Sequence, residues 1–558
     1  LGHLAHSNSE YTPGLNLLYR SDPETNFFIN IVHLQSHRRS RALAQLECAT
    51  QSKECGLLNI LDYYVPIVLM CLADPVSNVA TTAVETIHQI SSRLPWTSYK
   101  DLLHKLIYKH INNNSQSAVY IRAFASVLEN LDCFTNLEEA ESFNILFREF
   151  SPKLRKLMPS DDKRELKKID ISPMVFLSYV HIIRFLPEQE MKIYLHRLLS
   201  LLCESLTDRS QTVRDVGRAA VTNIVRVLQA SCLPIVVGIL RARLLNGFHL
   251  HVLGLITYDI LRVSAPTAKE SEFDALLIEV LPILEADIFG KVSQAREGDK
   301  IASNVLEALK SRSMESIELL SLRASFPASI PILLSPVIKR LPEFRNIQSY
   351  RKIEEVLLSI QKGILARSEL QVKEILVIAR SLLSIGIFDQ NFDLFTEESE
   401  CYSILFAEFL PKHKKNVEDL YLVQKFQILL FFALKLIKGM LKQFKNKKFS
   451  ENYSKECYCL FEDIIPPLIR LTNFPSDKIS LLCLQILAKF ASMKLKAFEH
   501  GSDSLMRRLI ALLNASSHAD SQLVQDCLRL IANLLQRHTS FTPTNAHYRI
   551  ILRIAFEN

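Results

Sequence analysis

Two histidine pairs are the first candidates for chemistry in this sequence, because imidazole nitrogens are common metal ligands and proton acceptors. His33 and His37 are four residues apart, a spacing that can place two ligands on one face of a helix. Leu34 follows His33, however, where the zinc-protease motif HExxH requires a glutamate. Solvated or capping histidines are the favoured interpretation. His249 and His251 point to different sides of a helix, so neither pair predicts a metal site.

No other constellation of residues predicts catalysis. The sequence contains none of the motifs GxxxxGK[ST], GxGxxG or GxSxG, which would bind phosphates or position a nucleophile. The 11 cysteines are scattered and form no CxxC pair, and Cys457 and Cys459 stand alone with a single residue between them. Buried, reduced thiols of an intracellular protein are the favoured interpretation. We therefore predict no catalytic residue, no cofactor, no metal site and no small-molecule substrate.

A row of lysines is the clearest candidate for binding rather than catalysis. The segment Phe426–Phe444 is amphipathic, and its lysines lie about one turn apart on roughly the opposite side from the apolar residues. The row comprises Lys435, Lys438, Lys442 and Lys445, and Lys447 and Lys448 follow it. Ammonium groups in such a row suit an RNA phosphate backbone, and a solvated lysine face is the alternative. No aromatic side chain is interleaved on this face, so base reading is not indicated.

A second basic cluster, HRRSR, lies at residues 37–41. If the helix across residues 27–46 is continuous, Arg38 falls within an apolar stripe and should bond to a neighbouring repeat. Arg41 should project further outward. Arg41 is therefore the other candidate contact to an RNA backbone.

The elements that must position these residues are helices. The chain has 558 residues, and single hydrophobic cores stop growing at roughly 250–300 residues. Only 13 glycines occur and hydrophobic residues make up 48%, a composition that favours stacked amphipathic helices over sheets. The net charge of +7 is mildly basic and is compatible with a phosphate-bearing partner.

Repeats appear in the helical pattern. In the segment 201–228, an apolar helix ends at Asp208, and a second helix follows that carries Val213, Arg214, Gly217 and Ala220. The aspartate should bond amides at the start of the second helix, and the two small residues should let the paired helices approach closely. Valine and arginine after an Asp-bearing turn are typical of a HEAT repeat. Asp74 is followed by apolar or small residues at the same offsets, and weaker copies occur at 475–490 and 520–535.

These observations predict an all-α protein, an α-solenoid of HEAT-type helical repeats. We expect a frayed N-terminal segment at residues 1–24 and a continuous solenoid over 25–558. The most apolar stretch, residues 428–434, is much shorter than the ~20 residues that a membrane span needs, so no membrane association is predicted. The chain begins with Leu1 and ends within an amphipathic run, which indicates an internal fragment of a longer protein.

The run NFFINIVHLQSHRRSRALAQL at residues 26–46 resembles the opening of the DRIM ("down-regulated in metastasis") domain. Further similarities follow in order at the repeat around Asp208, at 247–254, and at 284–290 followed by 301–309, so the resemblance is clearest over residues 26–310. The DRIM family is a very large HEAT-repeat component of the small-subunit processome. The resemblance implies a non-enzymatic nucleolar scaffold associated with the U3 particle.

The implied partners are pre-ribosomal RNA and small-subunit processome proteins, and the implied role is support of pre-18S RNA processing and small-subunit assembly. Two alternatives share the fold. A transport receptor of the importin type would favour acidic helices facing basic cargo, which this mildly basic chain does not offer. The helical flank of a giant kinase would require HRD and DFG motifs elsewhere in the protein.

Overall fold

The structure is a computed structural model, and its described residues are mostly helical and contain no β-strand. It describes residues 6–7, 13–51, 56–57, 60–112, 117–134, 140–158, 172–228, 230–290, 307, 311–341, 347–367, 372–387, 419–443, 455–474, 476–493, 495–515, 521–538 and 543–556. The chain divides into two units, residues 1–249 and 250–558.

The first unit begins with two short helices and continues with helices of up to 19 residues. They are α1 (Pro13–Asn16), α2 (Phe27–Asn30), α3 (Ser36–Gln51), α4 (Val65–Cys71), α5 (Ser77–Ser91), α6 (Trp96–Asn112), α7 (Ser117–Glu129), α8 (Ala140–Lys156), α9 (Pro173–Ile183), α10 (Glu188–Leu206), α11 (Gln211–Val227) and α12 (Leu233–Arg243).

Two layers of helices build the first unit. Layer A contains α4, α6, α8, α10 and α12, and layer B contains α3, α5, α7, α9 and α11. Each layer-B helix packs on the next layer-B helix along the sequence. Four successive A helices also pack on the B helix that follows them, so that the pairs α4–α5, α6–α7, α8–α9 and α10–α11 are the repeating units. The apolar stripe of each helix faces its partners, which buries one continuous core between the layers.

The second unit repeats this arrangement. Its helices are α13 (His249–Ser264), α14 (Glu270–Phe289), α15 (Ser313–Arg323), α16 (Ser329–Arg340), α17 (Ile347–Leu365), α18 (Val372–Ile387), α19 (Asp419–Gln443), α20 (Lys455–Leu471), α21 (Asp477–Phe490), α22 (Ala497–Ala515), α23 (Gln522–Arg537) and α24 (Asn545–Phe556). Helices α15, α17, α19, α21 and α23 pack in succession as layer B, and α18, α20, α22 and α24 form the facing layer A.

The turns between paired helices are closed by aspartate. Asp74 Oδ1 accepts a hydrogen bond from the Val76 amide at 2.9 Å, and Asp208 Oδ1 accepts one from the Ser210 amide at 2.6 Å. Both aspartates thus bond the backbone two residues ahead, just before the next helix begins. The two turns are local copies of one another, as the equal spacing in the sequence predicted.

The repeat around Asp208 depends on a buried arginine and two small residues. Arg214 is 4% exposed and donates to the carbonyls of Asp208 and Arg209 at 3.0 and 2.9 Å, which ties the helix back to its own turn. A Cβ added to Gly217 would lie 2.5 Å from Ser205 Oγ, so a larger residue between α10 and α11 would require the Ser205 side chain to move. Ala220 is fully buried on the same face, whereas Val213 is half-buried.

Side-chain amides link successive layer-B helices. Asn130 Nδ2 donates to the His88 carbonyl at 2.6 Å, Gln443 Nε2 to the Leu365 carbonyl at 2.5 Å, and Asn533 Nδ2 to the Ala488 carbonyl at 2.7 Å. Each bond runs from a layer-B helix, or for Asn130 from the residue that follows α7, to the C-terminal end of the preceding layer-B helix, where carbonyls lack intrahelical donors. The bonds fix how far one repeat can slide along the next.

The prediction of an all-α fold of HEAT-type repeats is confirmed. Of the predicted N-terminal segment 1–24, the structure describes residues 6–7 and 13–24, and there Leu15 and Leu18 are buried. The predicted helix across 27–46 is wrong in detail, because α2 ends at Asn30 and α3 begins only at Ser36. Among the described residues, no helix combines the length and apolarity that crossing a bilayer requires.

Candidate nucleic-acid interface

The predicted lysine row lies on α19, and the structure does not present it as one exposed row. Of its members, Lys435 and Lys438 are half-buried and Lys442 is exposed. The residues between them are buried on nearly all sides, since α19 packs against α17, α18 and α21. A helix in such a position has no broad free face. Lys445, Lys447 and Lys448 lie outside the described residues.

Lys438 takes part in a polar chain inside the second unit. Its Nζ donates to Gln485 Oε1 on α21 at 2.5 Å, and Gln485 Nε2 donates to Asp526 Oδ2 on α23 at 2.7 Å. Asp526 is 1% exposed, so the hydrogen bond from Gln485 satisfies a buried carboxylate. Lys435 Nζ lies 4.3 Å from the centre of the Phe431 ring. The prediction that these lysines form a free row is therefore wrong for Lys438, which is held by its neighbours.

Arg41 is exposed, as predicted, and lines a groove of about 390 Å³ beside Arg20. The groove has an apolar floor that includes Leu17, Leu18 and Ala44. The predicted roles of its neighbours change, because Arg38 pairs with the exposed Glu24, while the half-buried link to the next repeat is made by Arg39. Arg41 as an RNA contact remains a prediction.

Among the described residues around the histidine pair near the start of α3, no group of three or more His, Cys, Asp or Glu side chains converges. His33 precedes the helix, and its Nδ1 accepts a hydrogen bond from the Gln35 amide at 3.1 Å. This is the capping interpretation that the sequence favoured.

A larger basic surface occurs in layer A of the first unit. In α6, the buried residues Tyr99, Leu102, Leu103, Leu106 and Ile107 face the core. The spacing of this apolar stripe leaves the basic and polar residues on the outer side. Those residues are Lys100, His104, Lys105, Tyr108 and Lys109.

The next layer-A helix, α8, lies parallel to α6 and in a fixed register with it. Lys100 Nζ is 2.7 Å from Glu149 Oε1, and His104 Nε2 is 3.0 Å from Glu149 Oε2. Lys153 Nζ is 3.2 Å from His104 Nδ1. The pairs 100–149 and 104–153 have the same separation of 49 residues, which indicates parallel helices side by side.

The surface continues across α10 to α12. The Arg155 guanidinium donates to Tyr179 Oη on α9 at 3.2 and 3.0 Å and lies 5.2 Å from the centre of the Tyr194 ring on α10. Arg243 on α12 donates to Ser200 Oγ on α10 at 3.2 Å. Ser200 and Arg243 border a groove of about 440 Å³ that is lined mostly by polar side chains.

We call residues 100–109, 148–156, 194–207 and 241–243 the basic strip. It carries ten lysines and arginines against three carboxylates, Asp101, Glu149 and Glu204. Its excess of seven positive charges equals the net charge of +7 of the whole chain. Desolvation raises the pKa of Glu149, but hydrogen bonds from Lys100 and His104 and their positive charges outweigh it, and the pKa lies below its usual value.

Sequence reasoning missed the basic strip because its four segments are short and lie far apart along the chain. The signal available was local: Lys100, His104, Lys105 and Tyr108 recur at spacings of three to five residues opposite an apolar stripe. That pattern predicts a basic helix face. It does not predict that faces of four helices would lie side by side.

Four buried cysteines have thiols whose pKa is raised well above the usual value. Burial is the main cause that raises the pKa of Cys203 to about 12 and, together with the nearby Asp74 carboxylate, that of Cys71 to about 11. Burial likewise raises the pKa of Cys527 to about 12, and that of Cys483 still further. Thiols with such values stay protonated near neutral pH, so they are weak nucleophiles. None of the nine described cysteines is part of a disulfide bond.

Comparisons with solved structures return helical-repeat proteins. A structure of Kap95p with RanGDP matches 97% of this chain and 65% of its own at 12% identity, with a TM-score of 0.37. A structure of importin beta matches 99% of this chain and 77% of its own at 13% identity, with a TM-score of 0.29. These similarities concern the fold alone and carry no argument about function.

Comparisons of sequence identify relatives. The family model described as the U3 small nucleolar RNA-associated protein 20 domain matches residues 162–383. The proteins named U3 small nucleolar RNA-associated protein 20 in Schizosaccharomyces pombe and Saccharomyces cerevisiae are 25% and 26% identical over 93% and 66% of this chain. The chain spans 21% and 15% of those relatives. These matches support the resemblance to the DRIM family, for which U3 small nucleolar RNA-associated protein 20 is another name.

Proposed function

We propose that this chain is part of a non-enzymatic scaffold of the small-subunit processome, which supports pre-18S RNA processing and assembly of the small ribosomal subunit. The observation that carries the proposal is the similarity to U3 small nucleolar RNA-associated proteins along 93% of the chain. The relatives' name states an association with U3 RNA, and we extend that association to this chain. The nucleolus is then its site of action.

The architecture supports a scaffold role. Stacked helix pairs expose a long surface, and their stability is nearly a sum of contacts between neighbouring repeats. Such an array can hold several partners without a central active site. The described residues contain no converging metal ligands, and burial raises the pKa of the Cys203 thiol to about 12. The proposed partners are pre-ribosomal RNA and processome proteins, with no small-molecule substrate.

The predicted RNA contacts at Arg41 and Lys442 remain part of the proposal, since both side chains are exposed. Lys438 is better understood as a structural residue because it bonds Gln485. Lys435 lies against an aromatic ring and is half-buried. The centre of the proposed RNA surface therefore moves away from α19.

Immunoprecipitation of the tagged protein from cells tests the proposal. We expect enrichment of U3 RNA and pre-18S RNA over an unrelated small nucleolar RNA, and sedimentation with large pre-ribosomal particles. Depletion of the protein should reduce mature 18S RNA while 28S RNA is maintained. Recovery with nuclear transport cargo and without U3 RNA would instead favour the importin-type alternative.

A further inference from the structure

The basic strip concentrates positive charge beyond what the fold requires. Cations at the C-terminal end of a helix are explained in part by the helix dipole, which favours them in the last turn. Lys109, Lys156 and Arg243 occupy such positions. Lys105 and Arg148, in contrast, lie in the middle of α6 and α8. Helix termini therefore do not account for the strip.

Three of its cations are exposed and make no hydrogen bond or ion pair within the described part of the chain: Lys105, Arg148 and Lys156. An unpaired exposed cation keeps its full charge available to an incoming anion. Around them, Lys100 and Arg155 are held by Glu149 and Tyr179. The strip thus combines fixed cations with free ones.

The basic strip is long enough to bind a polymer with many phosphates. Packed helices lie about 8–10 Å apart, so four adjacent layer-A helices span roughly 24–30 Å. Phosphates of one strand follow each other at about 3.4 Å along a nucleic-acid helix axis. The strip can therefore face several consecutive phosphates, whereas a single small anion would meet only a fraction of it.

Aromatic side chains are interleaved with the cations. Tyr108 is 69% exposed, and it shares a helix face with His104 and Lys105. Tyr194 is half-buried beside Arg155. Exposed rings next to cations suit unpaired bases, which stack on aromatic faces. An acidic peptide would instead need an apolar groove for its side chains, and the groove between α10 and α12 is lined mostly by polar groups.

We infer that the basic strip binds the phosphate backbone of RNA across four consecutive layer-A helices, with Lys105, Arg148 and Lys156 as phosphate contacts and Tyr108 as a stacking residue. The inference rests on the proposed function, because it takes RNA to be a ligand of the scaffold.

The test uses the full chain and a fluorescent 30-nucleotide RNA with a single-stranded half and a hairpin half. Binding is titrated from 50 to 300 mM salt for the wild type and for Lys105→Glu/Arg148→Glu/Lys156→Glu. The control is Arg351→Glu/Lys478→Glu/Arg537→Glu, which makes the same charge change at exposed residues of the second unit that have no partner among the described residues. Circular dichroism verifies that all three proteins remain helical.

We expect the strip variant to bind at least tenfold more weakly at 50 mM salt, with a salt dependence shallower by about 2 in the slope of log affinity against log salt. The control should stay within twofold of the wild type. Tyr108→Ala should weaken binding to the single-stranded half and leave the hairpin half unaffected.

Three outcomes would overturn the inference. If the wild type binds and both triple variants lose affinity equally, binding follows net charge and not the strip. If the strip variant binds like the wild type, the RNA site lies elsewhere, and the proposed function stands without this inference. If the wild type binds polyglutamate through the strip but binds no RNA even at 50 mM salt, the partner is an acidic protein, and the RNA-holding part of the proposed function fails as well.

Discussion

Arg39 and Asp74 form a bidentate ion pair that joins α3 to the turn between α4 and α5. Arg39 Nε lies 2.8 Å from Asp74 Oδ2, and Nη2 lies 3.0 Å from Oδ1. The side chains are 14% and 12% exposed. Arg39 also donates to the carbonyls of His33 and Leu34 at 2.7 and 2.9 Å. One guanidinium therefore fixes both the start of α3 and the first aspartate turn.

Removing this carboxylate should destabilise the first unit. Asp74→Ala leaves the Arg39 charge without its partner, and we expect a loss of about 2–3 kcal/mol in the free energy of unfolding, below the range for a fully buried pair. Urea denaturation followed by circular dichroism measures it. Arg38→Ala is the matched control, because Arg38 pairs with the 63% exposed Glu24 and should cost less than about 1 kcal/mol. Equal losses would show that Asp74 has no special role.

The same arginines show why local sequence reasoning misplaced a contact. A continuous helix over 27–46 would put Arg38 in the apolar stripe, but the chain breaks its helix between Asn30 and Ser36. The break shifts the helical phase by about one residue, so the half-buried position that faces Asp74 is taken by Arg39. Helix type is set by local periodicity and was predictable. Which side chain faces the neighbouring repeat after a break depends on the binding partner in that repeat, which here is Asp74.

The neighbours of α19 also explain why the predicted lysine row is not exposed as a whole. The apolar spacing of α19 predicted one buried face, yet α17, α18 and α21 enclose the helix on several sides. The sequence of one helix does not state how many neighbours it has. The repeat residues around Asp208 were predictable because their partners lie within the same helix pair, as the contacts of Gly217 with Ser205 illustrate.

Enlarging Gly217 should separate α10 from α11. A Cβ would lie 2.5 Å from Ser205 Oγ and 3.2 Å from Leu206 Cδ2, so Gly217→Ala should cost about 1–3 kcal/mol through overpacking. Thermal denaturation measures the loss. The control is Gly254→Ala in α13, where the nearest atom is 3.8 Å away and the better helix propensity of alanine should stabilise by up to about 1 kcal/mol.

The second variant that tests this packing is Gly217→Ala combined with Ser205→Gly. Removing the serine side chain opens the space that the new methyl group needs, so part of the lost stability should return. A double variant that is less stable by the sum of both single effects would contradict the proposed clash, since residues in contact are expected to be coupled.

Lys438 should matter for stability and not for RNA. Lys438→Glu removes the donor to Gln485 Oε1 and adds a carboxylate to a chain that already contains the buried Asp526. We expect the second unit to lose about 1–3 kcal/mol. Lys442→Glu, one turn further on at an exposed position, should cost no more than about 1 kcal/mol. If Lys438→Glu leaves the melting curve unchanged and reduces RNA affinity, the original assignment of the lysine row is correct.

His181 should make the first unit sensitive to acid. Its ring is 2% exposed, and within the described residues neither nitrogen has a hydrogen-bond partner. Burial, helped by the positive charge of Arg184, lowers the pKa of His181 to about 3. In the unfolded chain, His181 binds a proton at about pH 6.5. The unfolded chain therefore binds more protons than the folded chain between pH 6.5 and about 3. Folding stability is therefore complete above pH 6.5 and falls as the pH is lowered through this window.

At pH 4.5 the expected loss from His181 is about 2–3 kcal/mol relative to pH 7. Urea denaturation at the two pH values gives the total loss, to which other titrating groups also contribute. His181→Leu isolates the histidine, because it keeps a side chain of similar volume and cannot bind a proton. The variant should lose about 2 kcal/mol less than the wild type on acidification. An identical loss in both proteins would mean that His181 also binds a proton in the folded state at low pH. The ring would then have a hydrogen-bond partner or contact with solvent, and its burial would not lower its pKa.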